Sequence, residues 1–461
     1  MKYELLPFQS SAVPLMGEQN FLLADDCGLG KTLTAVECAR RYARGPVLII
    51  APRLTKEWWA EVIRDQEAGY VGVCGQAGRG VPWRKVATWG NKKPNIYVVV
   101  HPTAVRMSAD KLRAVKWDMV IVDEAHRFKN RKAKQTKALK TLIARRKIML
   151  TATPYGRSPA DMWALLHWLY PKSFRSYWRF FDQYVDSYRP PHGRFTTING
   201  PKNLKQLAKE IEPFYLKRTK EQVLPDLPPI TYSDVPIVLE GKQEQLYLKL
   251  VKDAYAELSG TEIILENALV RFLRLQQCAL DPSIISEDLP PYPLGEVPAK
   301  VQWLQEWIED HPGESVVIVS RYRRFVEAWL RGLAPGACIV GGMDRDEVQS
   351  ALKVFNKTGV MVGSLHAIKE GLNLQRASTM IITDGSWSST DEYQLSQRIY
   401  RVGQTRHCHV IHLVAKLSQR RKWTVDKLMR RAVEKRFNDA QLVDEFVRDL
   451  KGSWFDQLLG G

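Results

Sequence analysis

Two short segments carry most of the chemistry in this sequence. Leu22 to Thr32 reads LLADDCGLGKT, Met119 to His126 reads MVIVDEAH, and each is led by an apolar, strand-like run. In the first, Gly28 and Gly30 let the backbone wrap closely around phosphate oxygens, and a helix from about Lys31 to Arg41 aims its unpaired N–H groups at the same anion. Lys31 is placed to balance β/γ-phosphate charge and Thr32 to ligate magnesium through its hydroxyl. In the second, Asp123 is placed to hold magnesium, directly or through water, and Glu124 to orient and deprotonate an attacking water. Together they are the equipment for splitting ATP or GTP. The usual G-x-x-x-x-G-K-T pattern fails at its first glycine, where Asp25 stands.

Far down the chain, QLSQRIYRVGQTR (Gln394 to Arg406) sets Arg398 and Arg401 three residues apart. A helix would place them on one side. Arginine forks grip the negative charge that develops in phosphoryl transfer. Their distance from Lys31 in sequence calls for a second lobe that closes on the first, which would tie hydrolysis to domain movement.

The elements that must position these residues follow an α/β rhythm. Asn20 to Ala24, Pro46 to Pro52, Ile96 to Val100, Asp118 to Asp123 and Lys147 to Thr153 are short apolar runs separated by helical or loop material. Ser315 to Ser320, Ala337 to Gly342, Gly359 to Ser364, Thr379 to Asp384 and Cys408 to Ala415 repeat the rhythm. Such alternation predicts two parallel sheets, each covered on both faces. Aromatic and basic stretches fill Asp161 to Leu216, and the proline-rich VLPDLPPI (Val223 to Ile230) marks a boundary. Two further helices, GKQEQLYLKLVKDAYAELSG and TEIILENALVRFLRLQQCAL, and a helical tail after Arg421 complete the pattern.

Composition narrows the class. A chain of 461 residues with 45% hydrophobic and 26% charged residues is globular and long enough for two cores. A formal charge of +18 favours a polyanionic partner, and nucleic acid over membrane, because no lipidation signal or basic amphipathic terminus accompanies it. No run reaches the roughly 18 apolar residues of a membrane span, and no signal-peptide pattern opens the chain. The six cysteines form no C-x-x-C pair, so free thiols in a reducing compartment are expected. His407 and His409 flank Cys408, but the alternation in RHCHVIHLV reads as a strand rather than a metal site.

In this order the motifs resemble the Snf2/Swi2 branch of superfamily 2 helicase-like ATPases. ADDCGLGKT is similar to that family's A-D-E-M-G-L-G-K-T loop, LIIAPRLTKEWWAE (Leu48 to Glu61) to its next motif, and VDEAH to its acidic one. LTATPYGRSPADMWALLHWLYP (Leu150 to Pro171), FYLKRTKEQVLPDLPP (Phe214 to Pro229), VRFLRLQQCALDP and EGLNLQRAS (Glu370 to Ser378) resemble further family segments. The resemblance spans residues 3–415. It implies two RecA-like parallel-sheet lobes: residues 1–225 as the ATP-binding lobe with a helical protrusion at about 156–216, and residues 226–461 as a helical insertion, lobe 2 and a helical tail.

The same resemblance implies ATP and Mg2+ as cofactors, with Gln9 as the adenine-recognising glutamine and Arg398 and Arg401 as arginine fingers. It implies a motor that moves on double-stranded or branched DNA, remodelling DNA or protein–DNA complexes. Expected DNA contacts lie near Arg53, Lys56, His101 and Thr103 in lobe 1, and Ser320, Arg321, His366 and Trp387 in lobe 2. Lys217, Arg218 and Lys220 belong to a segment that implies a brace between lobes, where they would pair with acidic residues. Two departures stand out: Gln397 replaces a common aspartate, and Lys369 and Glu370 replace glycines. The compact pattern is nearest the annealing-helicase-like branch, and no histone-reading appendage is evident, which leaves chromatin remodelling with little support.

Two other readings stay open at this point: a conventional strand-separating helicase, and an ATP-dependent nucleic-acid clamp. Replication, repair or transcription proteins are the expected partners, without a membrane. The expected place is the cytoplasm or nucleoid of a bacterial host, or a phage. Oligomeric state is left open by the sequence.

Overall fold

The computed structural model describes residues 4–74, 83–88, 95–155, 158–188, 197–259, 265–285, 296–369, 371–385, 388–418 and 424–435. The chain forms two units, Met1–Asp226 and Leu227–Gly461. Trp387, Glu370 and the tail from residue 436 onward lie outside the described residues.

In the first unit the strands are β1 (Phe21–Leu23), β2 (Val47–Ile50), β3 (Gly69–Val73), β4 (Asn95–Val100), β5 (Trp117–Val122), β6 (Ala144–Leu150), β7 (Val185–Tyr188), β8 (Thr197–Pro201) and β9 (Tyr215–Leu216). Seven of them form a sheet in the order β3-β4-β2-β5-β6-β1-β9, with every pair parallel. β7 and β8 pair antiparallel, apart from that sheet. β2 and β4 are buried at every position. Side chains on both faces of those strands therefore meet core, which is why they read as unbroken apolar runs.

The arrangement has a direct consequence for chemistry. β5, β6 and β1 are neighbours and all run the same way. The segments that follow them, Asp123–Glu124, Thr151–Thr153 and the loop Ala24–Gly30, accordingly leave the sheet side by side at its carboxyl edge, the usual ligand edge of such sheets. Beyond β6 the aromatic stretch packs on itself. Trp163 stacks on His167 at 4.7 Å between ring centroids, and Tyr170 lies 4.3 Å from Phe214.

In the second unit β10 (Ile230–Leu239), β11 (Val316–Ser320), β12 (Cys338–Ile339), β13 (Val360–Ser364), β14 (Thr379–Ile382) and β15 (Cys408–Leu417) form a parallel sheet in the order β10-β15-β14-β11-β13-β12. The strand expected over Ala337–Gly342 shrinks to Cys338–Ile339, because the backbone turns at Gly342 with φ +96°. Helices Gly241–Ser259, Leu265–Leu280 and Val425–Lys435 surround a second core that includes Tyr247, Phe272 and Leu428. His407 and His409 sit at the start of β15, where they meet the hydroxyls of Thr231 (3.0 Å) and Ser233 (2.8 Å). All six cysteines are buried free thiols. Among the described residues no helix is long and apolar enough to cross a membrane.

Candidate nucleotide site

The loop between β1 and the helix Lys31–Tyr42 takes its shape from two glycines. Gly28 has φ +86° and Gly30 φ +75°, conformations that residues with a side chain rarely adopt. A Cβ on Gly30 would also stand 2.2 Å from Gln9 Nε2. Gln9 is buried; its Nε2 donates to the Leu29 carbonyl (2.9 Å) and its Oε1 accepts from Leu6 N (2.9 Å). The glutamine expected to read adenine is thus fastened to the phosphate loop. Lys31 Nζ donates to the carbonyls of Asp25 (2.6 Å) and Asp26 (3.0 Å), and Thr32 is half-buried in the first turn.

Asp25, in the place of the missing first glycine, is buried and held by Arg218. The guanidinium donates from Nε to Oδ1 (3.0 Å) and from its Nη2 to Oδ2 (2.5 Å), and the Arg218 backbone N–H adds a bond to Oδ1 (3.1 Å). The surrounding backbone follows the same path. Ala24 N donates to Leu216 O (2.7 Å), Asp26 N to Arg218 O (3.0 Å), and Lys220 N to Asp26 Oδ2 (3.3 Å). Hence Arg218 and Lys220, expected in a brace, are joined to acidic residues of the phosphate loop itself. Sequence reasoning did not connect Asp25 with Arg218. The signal available was a carboxylate in an apolar setting, which requires a counter-charge.

At the end of β5, Asp123 accepts from Trp59 Nε1 (3.0 Å) and from the Glu124 N–H (2.9 Å). Its carboxyl is raised to about 6, first by burial and then by the Glu124 carboxylate, while Trp59 and Lys31 act in the opposite direction. Lys31 and Asp123, 92 positions apart, are therefore brought within electrostatic reach. Trp59 is a second residue whose role the sequence did not disclose. Glu124 has φ +48° and ψ 50°, a left-handed backbone uncommon for such a residue and of the kind that gathers at functional sites. Its carboxylate lies 3.2 Å from His126 Nδ1, which in turn lies 3.2 Å from Thr151 Oγ1, so the acidic segment is wired to the LTAT segment after β6. These groups fit ATP with magnesium: a glycine cradle at a helix start, one cation, and two carboxylates beside it.

The second unit holds the arginines. Helix Ser389–Ser396 stops before them, so Arg398 and Arg401 lie in the turns that follow rather than on a helix as expected. Arg398 N donates to Leu395 O (2.9 Å), and Arg401 donates to Leu372 O (3.2 Å). The Gln404 amide nitrogen, shared among the carbonyls of Gln375, Ala377 and Ile399, fixes these turns. The Nε of Arg398 is buried and has no acceptor among the described residues.

The expected nucleic-acid contacts are placed as follows. Arg53 and Thr103 are exposed; Lys56 donates to Cys74 O (2.7 Å); His101 caps its helix by accepting from Thr103 N (3.2 Å). His366 is exposed. Ser320 is not a surface residue. It is fully buried and donates to Asp384 Oδ1 (2.6 Å), while both Asp384 oxygens accept from Arg321 N (3.2 and 3.1 Å). Its role is to shape the turn that carries Arg321, whose guanidinium lies over the Tyr322 ring at 5.2 Å. Lys369 pairs with Asp391 (2.8 Å), so the lysine in place of a glycine ties its loop to helix Ser389–Ser396.

Comparison with known proteins gives two family matches: the SNF2-related domain over residues 14–284 and the helicase conserved C-terminal domain over residues 299–403. The chromatin-remodelling complex ATPase ISW1 of Saccharomyces cerevisiae is 26% identical across 93% of this chain and 39% of its own length. The remodelling complex subunit snf22 of Schizosaccharomyces pombe is 27% identical across 87% of this chain and 26% of its own. The chain therefore spans well under half of these relatives. Among solved structures, the Sulfolobus solfataricus SWI2/SNF2 ATPase core in complex with double-stranded DNA aligns with 99% of this chain and 97% of its own, at 22% identity and a TM-score of 0.45.

Proposed function

The chain belongs to the SNF2 family of helicase-like ATPases, and from that premise we propose that it hydrolyses ATP in response to DNA and moves along duplex or branched DNA. The observation that carries the ATPase half of this reading is the emergence of the glycine loop that bears Lys31 and of the carboxylate Asp123 at one carboxyl edge of the same parallel sheet. Gly28, Gly30 and Lys31 would hold the phosphates, Thr32 and Asp123 the magnesium ion, and Gln9 the base. Bound magnesium supplies neutralisation of phosphate charge. Glu124, with its left-handed backbone and with His126 Nδ1 3.2 Å from its carboxylate, would orient the attacking water and take its proton.

The net charge of +18 supports a polyanionic track held through phosphates rather than bases. Its relatives are named for chromatin remodelling, the activity that the sequence reading set aside. DNA and protein–DNA complexes are substrates common to both readings.

ATP turnover measured with duplex, forked and single-stranded DNA and with RNA tests the proposal, together with displacement of a triplex-forming strand. Turnover rising with duplex, and triplex displacement without unwinding of a tailed duplex, is the expected result. Binding without turnover on every nucleic acid would make the protein a clamp. Unwinding of the tailed duplex would make it a strand-separating helicase.

A further inference from the structure

The first unit carries a basic and aromatic surface that the nucleotide site does not use. From Arg127 to Lys140 there are seven lysines and arginines and no acidic residue. This run is folded against the aromatic helix Tyr177–Tyr184: Arg131 lies over the Tyr177 ring at 4.1 Å and over Trp178 at 5.7 Å. Trp178 itself is 63% exposed, with its edge against Phe181 and Tyr177. Arg175 and Arg179, both exposed, flank it in the chain. Asp182, one turn on, is the sole carboxylate of that helix. The cations crowd one another: burial, and then the charge of Arg131, hold the Lys140 ammonium below its usual value.

A large ring left mostly in water gains little from the protein's own packing, whereas an unpaired base supplies a matching apolar face. Cations beside such a ring hold the phosphates on either side of the base. We infer that Trp178, with Arg131, Arg175 and Arg179, forms a binding site for single-stranded nucleic acid. A paired duplex hides its base faces in the stack and meets only the cations. The site therefore selects unpaired strand, as at the arm of a branched DNA. The inference rests on the reading of the chain as a nucleic-acid-stimulated ATPase and adds to it a second contact and a preference.

The test uses the full chain, a labelled oligothymidylate and a labelled blunt duplex, with affinity read by anisotropy. Trp178→Ala is expected to weaken oligothymidylate about 5- to 150-fold, the range that base stacking on an aromatic ring gives. Trp178→Phe should restore part of the loss. Duplex affinity and duplex-stimulated turnover should remain as in the wild type. Unchanged oligothymidylate affinity would overturn the site. An equal loss on both nucleic acids would reduce it to a general phosphate surface, and equal competition by polyglutamate would assign it to an acidic protein segment. A Trp178-dependent preference for the single strand in a protein whose ATP turnover no nucleic acid stimulates would sink the motor reading and leave this site standing.

Discussion

Arg218 grips Asp25 through the Nε–Nη2 edge of its guanidinium, joining positions 193 residues apart at the mouth of the phosphate loop. The same guanidinium donates to the Phe8 carbonyl and lies over the Phe8 ring at 5.0 Å, so it also reaches the helix that carries Gln9. Three pieces of the nucleotide site thus share one cation. The departure from the usual glycine is explained by this bond: Asp25 is a latch for the loop.

Breaking the latch from one side should be costly, because the Asp25 side chain is only 2% exposed and its partner 13%. Removing one member of a buried pair typically costs about 3–5 kcal/mol. Arg218→Met should lower the urea midpoint of unfolding accordingly and weaken ATP binding. Arg218→Lys keeps the charge without the fork and should fall between. A variant that unfolds and binds ATP like the wild type would show that the loop holds its shape without Arg218.

Asp123 and Glu124 should separate under substitution. Glu124→Gln alters the group assigned to water and leaves the metal carboxylate and its Trp59 bond in place, so ATP binding should persist while turnover falls about 100-fold or more. Asp123→Ala should weaken magnesium-dependent ATP binding itself. Isothermal titration beside steady-state turnover distinguishes them, and equal loss of binding in both would erase the division of roles. Lys31→Ala, which removes the phosphate cation, should abolish nearly all turnover on a folded protein.

Much of the frame was legible because parallel strands buried on both faces announce themselves as apolar runs. β3 escaped because GYVGV lies half-exposed at the sheet edge. β10 escaped for a related reason: it is an edge strand with mixed exposure and a proline, Pro236, which edges tolerate. β9 is two residues inside a polar segment. At the candidate site, spacing pointed to Lys31, Asp123 and Glu124, since the loop and the acidic pair are each local. Arg218 and Trp59 were hidden because their partners come from distant segments that only the sheet order brings together. Ser320 was misread because a polar residue at a strand end looks like a surface contact until its acceptor, Asp384, is in view.

In the second unit Lys300 is fully buried, donating to Asp426 (2.6 Å) and to the Thr383 carbonyl (2.7 Å). This bond fixes helix Val425–Lys435 to the sheet. Lys300→Met should destabilise the protein by about 3–5 kcal/mol, for it strands a buried carboxylate. Adding Asp426→Leu should recover part of that loss, although the Ala415 N–H then loses its acceptor. The coupling is read from a double-mutant cycle of urea unfolding. Strict additivity would mean that the pair contributes nothing as a pair.

Arg401 and Arg398 test whether the second unit takes part in hydrolysis. Neither is needed for capturing ATP in the loop of the first unit, so Arg401→Ala should keep ATP and DNA affinity near wild type. Its guanidinium would matter when charge develops on the transferring phosphoryl group, so DNA-stimulated turnover should fall by about 100-fold or more. Loss of its bond to the Leu372 carbonyl is a local change and should leave the unfolding midpoint little altered. A role on the DNA track predicts the opposite pattern, weaker DNA binding with full turnover once DNA is saturating. Arg398, whose buried Nε lacks an acceptor among the described residues, is the other group available for that charge. If Arg401→Ala gives a partial defect, Arg398→Ala with Arg401→Ala should deepen the loss of turnover without a proportionate loss of ATP affinity. Full turnover of the double variant at saturating DNA would remove both arginines from the hydrolytic site.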